Sequence, residues 1–208
     1  MNQRGRFITL EGGEGTGKST QVKALTSALR RHGFDVLQTR EPGGSDGAEV
    51  IRSLLLHDAH WTLEAEALLF AAARAEHVAR TIRPAIESGR WVVSDRFLDS
   101  SLAYQGAAGG LGFEAIRTLH KIGSKGFLPD RTLLLELPGL EAGRRANSRD
   151  LYEPDIIGGR DEDYHGAVTR GFHAIAEQEP DRFRIIDASG SAKKVTERLL
   201  AALEDLLR

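Results

Sequence analysis

The chain has 208 residues, 40% hydrophobic and 28% charged, which suits one compact domain with a sizeable core spanning 1–208. A formal net charge of −2 argues against bulk nucleic-acid binding, which usually needs a basic face, yet leaves room for a local basic pocket. The absence of cysteine excludes disulfides, thiolate metal sites and cysteine nucleophiles; the polar run Met1–Arg6 predicts no signal peptide, and no apolar stretch approaches the ~20 residues of a membrane helix, so a cytoplasmic location is expected.

The first apolar run, Phe7–Glu11, reads as a buried strand. It leads into Gly12-Gly13-Glu14-Gly15-Thr16-Gly17-Lys18-Ser19-Thr20, which fits G-x-x-x-x-G-K-[ST], and then into a helical pattern over Lys18–His32. Strand, glycine loop and helix in that order form a phosphate-binding loop. The glycines let backbone N–H groups converge on phosphate oxygens, and the helix N-terminus adds partial positive charge. Lys18 can reach the terminal phosphates, and Ser19 can offer its hydroxyl to Mg²⁺.

A second strand, Phe34–Thr39, ends in Thr39-Arg40-Glu41-Pro42-Gly43-Gly44. Helical patterns follow over Gly47–His57 and Leu63–Ser88, with Pro84 expected to kink the latter or start a new helix. Phe70 and Arg74 share one face of it. The ring could stack on a base while the guanidinium donates to a carbonyl; equally, Phe70 could be core and Arg74 a surface charge. His77 extends that face without an assigned role. The third strand, Trp91–Asp95, ends in an acid followed by Arg96. Asp95 could serve a metal ion or cap a helix, and Arg96 presents a fork suited to phosphate. If Phe97–Gly106 is helical, Ser101, Tyr104 and Gln105 lie on one face, either to read a base and sugar or as plain helix surface.

A helix over Phe113–Lys125 and a strand over Thr132–Leu137 precede Gly139–Asp163, where Arg144, Arg145, Arg149 and Arg160 stand among Asp, Glu, Pro and Gly. That segment is either a solvated loop or a lid that brings guanidinium groups onto phosphate charge. Tyr164–Glu179 (helix), Phe183–Asp187 (strand) and Ala192–Leu207 (helix) complete the chain. Near-continuous apolar strands alternating with helices predict a three-layer α/β/α fold around a five-stranded parallel sheet, with ligands at the carboxyl ends of the strands.

Taken together, Gly12–Thr20, Thr39–Gly44, Leu69-Phe70 with Ala72-Ala73-Arg74, Asp95-Arg96-Phe97 with Ser100–Gly106, and Pro129-Asp130 closely resemble bacterial thymidylate kinases across nearly the whole length. The resemblance implies an adenylate-kinase-like P-loop NTPase fold, a homodimer formed through helices, and ATP- and Mg²⁺-dependent phosphorylation of dTMP to dTDP. It implies that Gly12–Thr20 hold ATP, that Ser19 and Asp95 serve the metal, and that Lys18, Asp95 and Arg96 act in catalysis, Arg96 on the acceptor phosphate. Phe70 would stack on thymine, Arg74 would donate to its 4-carbonyl, and Ser101 and Gln105 would complete the base contacts. Tyr104 would pack on deoxyribose and leave no room for a 2′-hydroxyl. Glu14 would accept from the 3′-hydroxyl, and Pro42 would approach the thymine methyl. Arg144 and Arg145 would flank the adenine, with Asp187–Ser191 as a further adenine candidate. Some relatives carry an arginine where this loop has Gly15; those with glycine use lid arginines, so Arg149 or Arg160 is expected at the transferring phosphate.

Two other functions share parts of this pattern. A kinase for another monophosphate or small metabolite would share the loop, the fold and a lid, but not the set Phe70, Arg74, Ser101, Tyr104 and Gln105. A GTP-dependent switch would fit Asp155-Ile156-Ile157-Gly158 as D-x-x-G, but no strand precedes it, and neither Asn2 nor Asn147, the only asparagines, begins N-K-x-D.

Overall fold

Five parallel strands stand side by side in the order β2-β3-β1-β4-β5. They are β1 (Phe7–Glu11), β2 (Val36–Arg40), β3 (Trp91–Asp95), β4 (Arg131–Glu136) and β5 (Phe183–Asp187). The computed structural model describes residues 4–57, 61–137 and 162–207. The helices are α1 (Lys18–Arg31), α2 (Asp46–His57), α3 (Leu63–His77), α4 (Arg83–Glu87), α5 (Leu98–Ser101), α6 (Phe113–Ser124), α7 (Glu162–Gln178) and α8 (Ala192–Ala201).

The central strand β1 is buried on both faces, which is why it reads as a continuous apolar run. Its side chains alternate between two cores. Phe7 joins Val92, Phe97, Leu102, Leu134 and Phe172 on one face, while Ile8 and Leu10 join Val22, Leu25, Val93, Leu133 and Leu199 on the other, under α1 and α8. Thr9 is buried too, and its hydroxyl lies 3.1 Å from that of Thr132 in the neighbouring strand.

The chain leaves β1 toward β2, two places away, and later returns from β3 across β1 to β4. The direction of winding therefore switches between β1 and β3, where a crevice opens at the carboxyl ends of the strands. Leu10 pairs with Asp95 in this register, so the glycine loop after β1 and Asp95-Arg96 after β3 emerge side by side.

Several boundaries differ from the sequence expectation. β2 begins at Val36 rather than Phe34, because Phe34 packs its ring on Trp91, 4.6 Å between centroids, before the ladder starts. The expected Leu63–Ser88 helix passes through a π-helical turn at Val78–Ile82 and resumes as α4, with Pro84 in its first turn. Pro84 has no N–H to continue the regular ladder, so the expected interruption occurs one turn before it. The stretch after Arg96 is α-helical only over Leu98–Ser101 and π-helical over Leu102–Ala108. The last helix ends at Ala201 and gives way to turns rather than running to Leu207. Glu162 and Asp163, expected in the lid, form the acidic first turn of α7. Arg144, Arg145, Arg149, Arg160 and the Asp155–Gly158 match lie outside the described residues.

Candidate active site

The glycine loop is shaped by steric necessity. A Cβ on Gly12, whose φ is 138°, would sit 2.4 Å from the carbonyl oxygen of Leu135. Gly17, at φ 86°, opens α1 without any side-chain cap, so the first N–H groups of a 14-residue helix are left for an anion. Lys18 curls over the loop, its Nζ donating to the Gly13 carbonyl at 2.6 Å and lying 3.4 Å from Thr16 Oγ1. Burial, and next the Arg96 guanidinium, bring its ammonium down to about 8, against the pull of Glu14, Asp95 and Glu11. An incoming phosphate would favour the charged form. Ser19 and Thr20 are exposed at the start of α1.

Arg96 occupies left-handed backbone at φ 70°, a conformation held by its neighbours. Its N–H donates to Leu10 O at 3.0 Å, and its carbonyl accepts from Ser94 Oγ at 2.8 Å. The turn behind it is anchored by Glu11, whose carboxyl group accepts from the Phe97 N–H at 2.7 Å and lies 2.6 Å from Ser100 Oγ. Burial, and then Asp99, push the Glu11 carboxyl up to about 8, although Ser100, Arg96 and the Phe97 N–H pull the other way. The Arg96 guanidinium donates to Ser100 Oγ at 2.9 Å and to Gly12 O at 3.3 Å, and it pairs with the Glu14 carboxylate. It also lies 5.1 Å over the ring of Tyr104. Burial alone would weaken its charge; Tyr104, Glu14, Asp95 and Glu11 outweigh that and hold it above its ordinary value.

Asp95 stands half-buried at the end of β3 and does not cap α5, whose N-cap is Phe97 without a side-chain bond. Its carbonyl accepts from the Glu41 N–H at 2.9 Å, which ties the end of β3 to the Glu41–Gly44 turn. In that turn the Glu41–Pro42 bond is cis, and Pro42 O accepts from Arg52 at 2.6 Å.

The second part of the site lies between α3 and the segment after Arg96. Arg74 is only 2% exposed, so it is not a surface charge. Its Nε donates to Glu41 Oε2 at 2.8 Å, and its Nη2 donates to Ser101 Oγ at 2.8 Å and Phe97 O at 3.2 Å. Phe70, one turn earlier, is half-buried and belongs to neither core. Ser101, Tyr104 and Gln105 are all buried rather than helix surface. Tyr104 donates its hydroxyl to Glu14 at 3.2 Å, and Gln105 donates to Glu66 at 2.8 Å. The structure thus gathers the glycine loop, Asp95, Arg96, Tyr104 and Glu14 at one end of the crevice, and links Arg74 to Ser101 and Glu41.

Residues that the sequence pattern passes over hold these groups in place: Glu11, Glu41, Glu66 and His77. Each is an acid or histidine whose burial and partners arise only on folding. Glu11 meets Phe97 and Ser100 across 86 and 89 residues. A local signal exists for Glu11, the last residue of β1, and for Glu41, just past the end of β2.

The oxygen chemistry of Ser19 and Asp95 suits Mg²⁺, a hard cation that takes one or two protein oxygens and completes its shell with water and phosphate. Among the described residues no cluster of three or more His, Cys, Asp or Glu forms a dedicated metal cage.

Comparison with known proteins follows the same lines. The profile of the Thymidylate kinase family matches residues 10–199. A thymidylate kinase of Rhizorhabdus wittichii is 65% identical over 205 residues, 98% of this chain and 99% of that one. A thymidylate kinase of a Synechococcus strain is 46% identical over 201 residues, 97% and 95% of the two chains. The crystal structure of thymidylate kinase from Ehrlichia chaffeensis aligns with a TM-score of 0.80 at 29% identity, covering 97% of this chain and 99% of that one.

Proposed function

Because the chain belongs to the thymidylate kinase family, we infer that it moves the γ-phosphoryl group of ATP onto dTMP, giving dTDP and ADP, in the crevice between β1 and β3. The observation that carries the site assignment is the convergence of two cations, the buried Lys18 and the half-buried Arg96, on the carboxyl ends of those two strands. Two phosphate-bearing molecules repel each other, and such a pair of cations lets them meet.

The attacking oxygen belongs to the 5′-phosphate of dTMP and is already ionised, so no general base is required. A bond forms between that oxygen and the γ-phosphorus as the bond to the β–γ bridging oxygen breaks. Catalysis is then alignment and charge neutralisation. Gly12 to Thr20 cradle the ATP phosphates, Lys18 reaches the transferring group, and Arg96 holds the acceptor phosphate. Ser19 and Asp95 hold Mg²⁺, which when bound neutralises phosphate charge. Arg149 or Arg160 adds charge at the transferring group, and Arg145 contacts the adenine.

Phe70 stacks on thymine, Arg74 donates to the 4-carbonyl, and Pro42, Ser101 and Gln105 complete the pocket. Tyr104 packs on the deoxyribose with Glu14 at the 3′-hydroxyl. The Tyr104 hydroxyl already bonded to Glu14 supports this pairing. One methyl separates thymine from uracil, which gives only about 1–3 kcal/mol of discrimination.

A homodimer belongs to the same proposal. Val50 and Leu54 on α2, Leu68 on α3 and Ile122 on α6 are exposed, and α2, α3 and α6 pack in succession. That apolar surface suits a second copy. Sedimentation would read the dimer directly, and a monomer at micromolar concentration would remove it.

The function is tested by coupled ADP release with dTMP, dUMP, dCMP and AMP at fixed ATP, with Lys18→Ala and Arg96→Ala as controls. Faster turnover of dCMP or AMP than of dTMP would overturn the substrate assignment. Arg149→Ala and Arg160→Ala, measured separately, identify the lid arginine; near-normal kcat in both would exclude that role.

A further inference from the structure

The Arg74 guanidinium is the end of a buried chain of hydrogen bonds. Thr39 Oγ1 lies 2.7 Å from His77 Nε2, and His77 Nδ1 lies 3.0 Å from Glu41 Oε1. The other Glu41 oxygen takes Arg74 Nε at 2.8 Å. His77 is fully buried, and Glu41 and Arg74 nearly so. Because a carboxylate only accepts, Nδ1 carries a proton and donates it to Glu41, while Nε2 faces the Thr39 hydroxyl, which can donate or accept. Each of these polar groups has a partner, and Glu41 links His77 to Arg74 through its two oxygens.

We propose that Glu41 and His77 are positioning residues that set the plane of the Arg74 guanidinium, and through it the preference for a pyrimidine bearing a carbonyl rather than an amino group at ring position 4. This rests on Arg74 facing the base. The bonds from Arg74 to described residues occupy Nε and Nη2, which leaves Nη1 for the ligand. A guanidinium only donates, so a fixed Nη1 pairs with a carbonyl and opposes an amino group. A guanidinium free to swing would lose that discrimination.

The same histidine shapes the neighbouring turn. A Cβ on Gly44, at φ 85°, would fall 2.3 Å from His77 Nε2 and 2.4 Å from Thr39 Oγ1. Gly44 O also accepts from Thr81, in the π-helical turn, at 2.7 Å. The turn that carries Glu41 and Pro42 is therefore seated on His77, and the imidazole sets both the acid and the loop around it.

The test separates the two edges of the imidazole. His77→Asn places an amide N–H near Nδ1 and can still serve Glu41; His77→Gln reaches toward Nε2 and serves Thr39 instead. Glu41→Gln keeps the shape of the acid and removes its charge. Steady-state constants are measured for dTMP, dCMP and ATP, with thermal midpoints to monitor folding. His77→Asn is expected to stay within about threefold of the parent. His77→Gln and Glu41→Gln should raise KM for dTMP about tenfold and lower the dTMP:dCMP preference by a similar factor, with KM for ATP unchanged. Equal losses in His77→Asn and His77→Gln would reduce His77 to packing and overturn the proposal. Arg74→Gln is run alongside. If it abolishes the preference while His77→Gln and Glu41→Gln keep it, positioning fails and the base-facing role of Arg74 stands. If Arg74→Gln keeps the preference, both fall.

Discussion

The Arg96 guanidinium meets the carboxylate of Glu14, 82 residues earlier in the chain, and both also reach the Tyr104 hydroxyl. The glycine loop and the turn after β3 are thereby fastened together by the cation assigned to the acceptor phosphate. Phosphate must share or displace Glu14, and either outcome needs the planar fork. Arg96→Ala is expected to lower kcat by about two to three orders of magnitude, the usual loss when a donor aimed at developing charge is removed. Arg96→Lys should recover little of it, because one ammonium cannot serve Gly12, Ser100, Glu14 and phosphate at once. Steady-state turnover with saturating ATP checks both variants; a lysine variant near parental rate would remove the geometric role.

Phe70 is half-buried and outside both cores, whereas Phe97 is fully buried and meets Phe7 edge-on at 4.9 Å. The two rings should therefore fail differently. Phe70→Ala is expected to raise KM for dTMP by about one to two orders of magnitude, the worth of a stacked base, with its thermal midpoint close to the parent. Phe97→Ala should lose about 3–5 kcal/mol of stability by leaving a cavity. Paired kinetic and thermal measurements distinguish them, and a large drop in midpoint for Phe70→Ala would mean that its ring belongs to the core.

Much of this architecture is legible in local pattern. Phe7–Glu11 and Trp91–Asp95 coincide with β1 and β3, because strands covered on both sides read as apolar runs, and Phe183–Asp187 coincides with β5, an edge strand that buries only Phe183 and Ile186. The start of β4 at Arg131 is not legible, because this buried arginine finds its partners far along the chain, Asp205 at 2.6 Å and the Ala202 carbonyl at 3.4 Å. The π-helical stretch at Leu102–Ala108 is equally hidden, since Ser101, Tyr104 and Gln105 would share a face of a regular helix as well. The phosphate loop is visible because its signal lies within nine consecutive residues. The chain from Thr39 through His77 to Arg74 is not, because its members come from a strand end, a turn and a helix end that meet only in the folded sheet.

Asp99 and Arg182 form a buried fork, with contacts of 2.6 and 2.7 Å, and Thr132 adds a hydroxyl to the same carboxylate at 3.0 Å. The pair ties α5, just beyond Arg96, to the start of β5. Asp99→Asn should cost about 1.5–3 kcal/mol, because Arg182 loses its charged fork and keeps Glu179, 2.6 Å away, as its remaining anion. The double variant Asp99→Leu with Arg182→Met should be more stable than either single change. Denaturant midpoints of the three variants check this, and additive losses would deny the coupling.

Glu11 supplies a pH dependence with a definite sign. Its carboxyl is pushed from the ordinary 4.5 up to about 8, chiefly by burial and then by Asp99. Between those values the folded chain keeps a proton that the unfolded chain has released. The contribution of this group to stability is therefore fully present below about 4.5 and is lost as pH rises through about 8. Glu11→Gln cannot lose that proton, and its amide oxygen can still accept from the Phe97 N–H. Its stability relative to the parent should rise steadily from about pH 5 to about pH 8 and then level off. Denaturant midpoints of the two proteins across that range give the difference directly, with titrations elsewhere cancelling between them. A difference that does not change with pH would place the Glu11 carboxyl at its ordinary value in the folded protein.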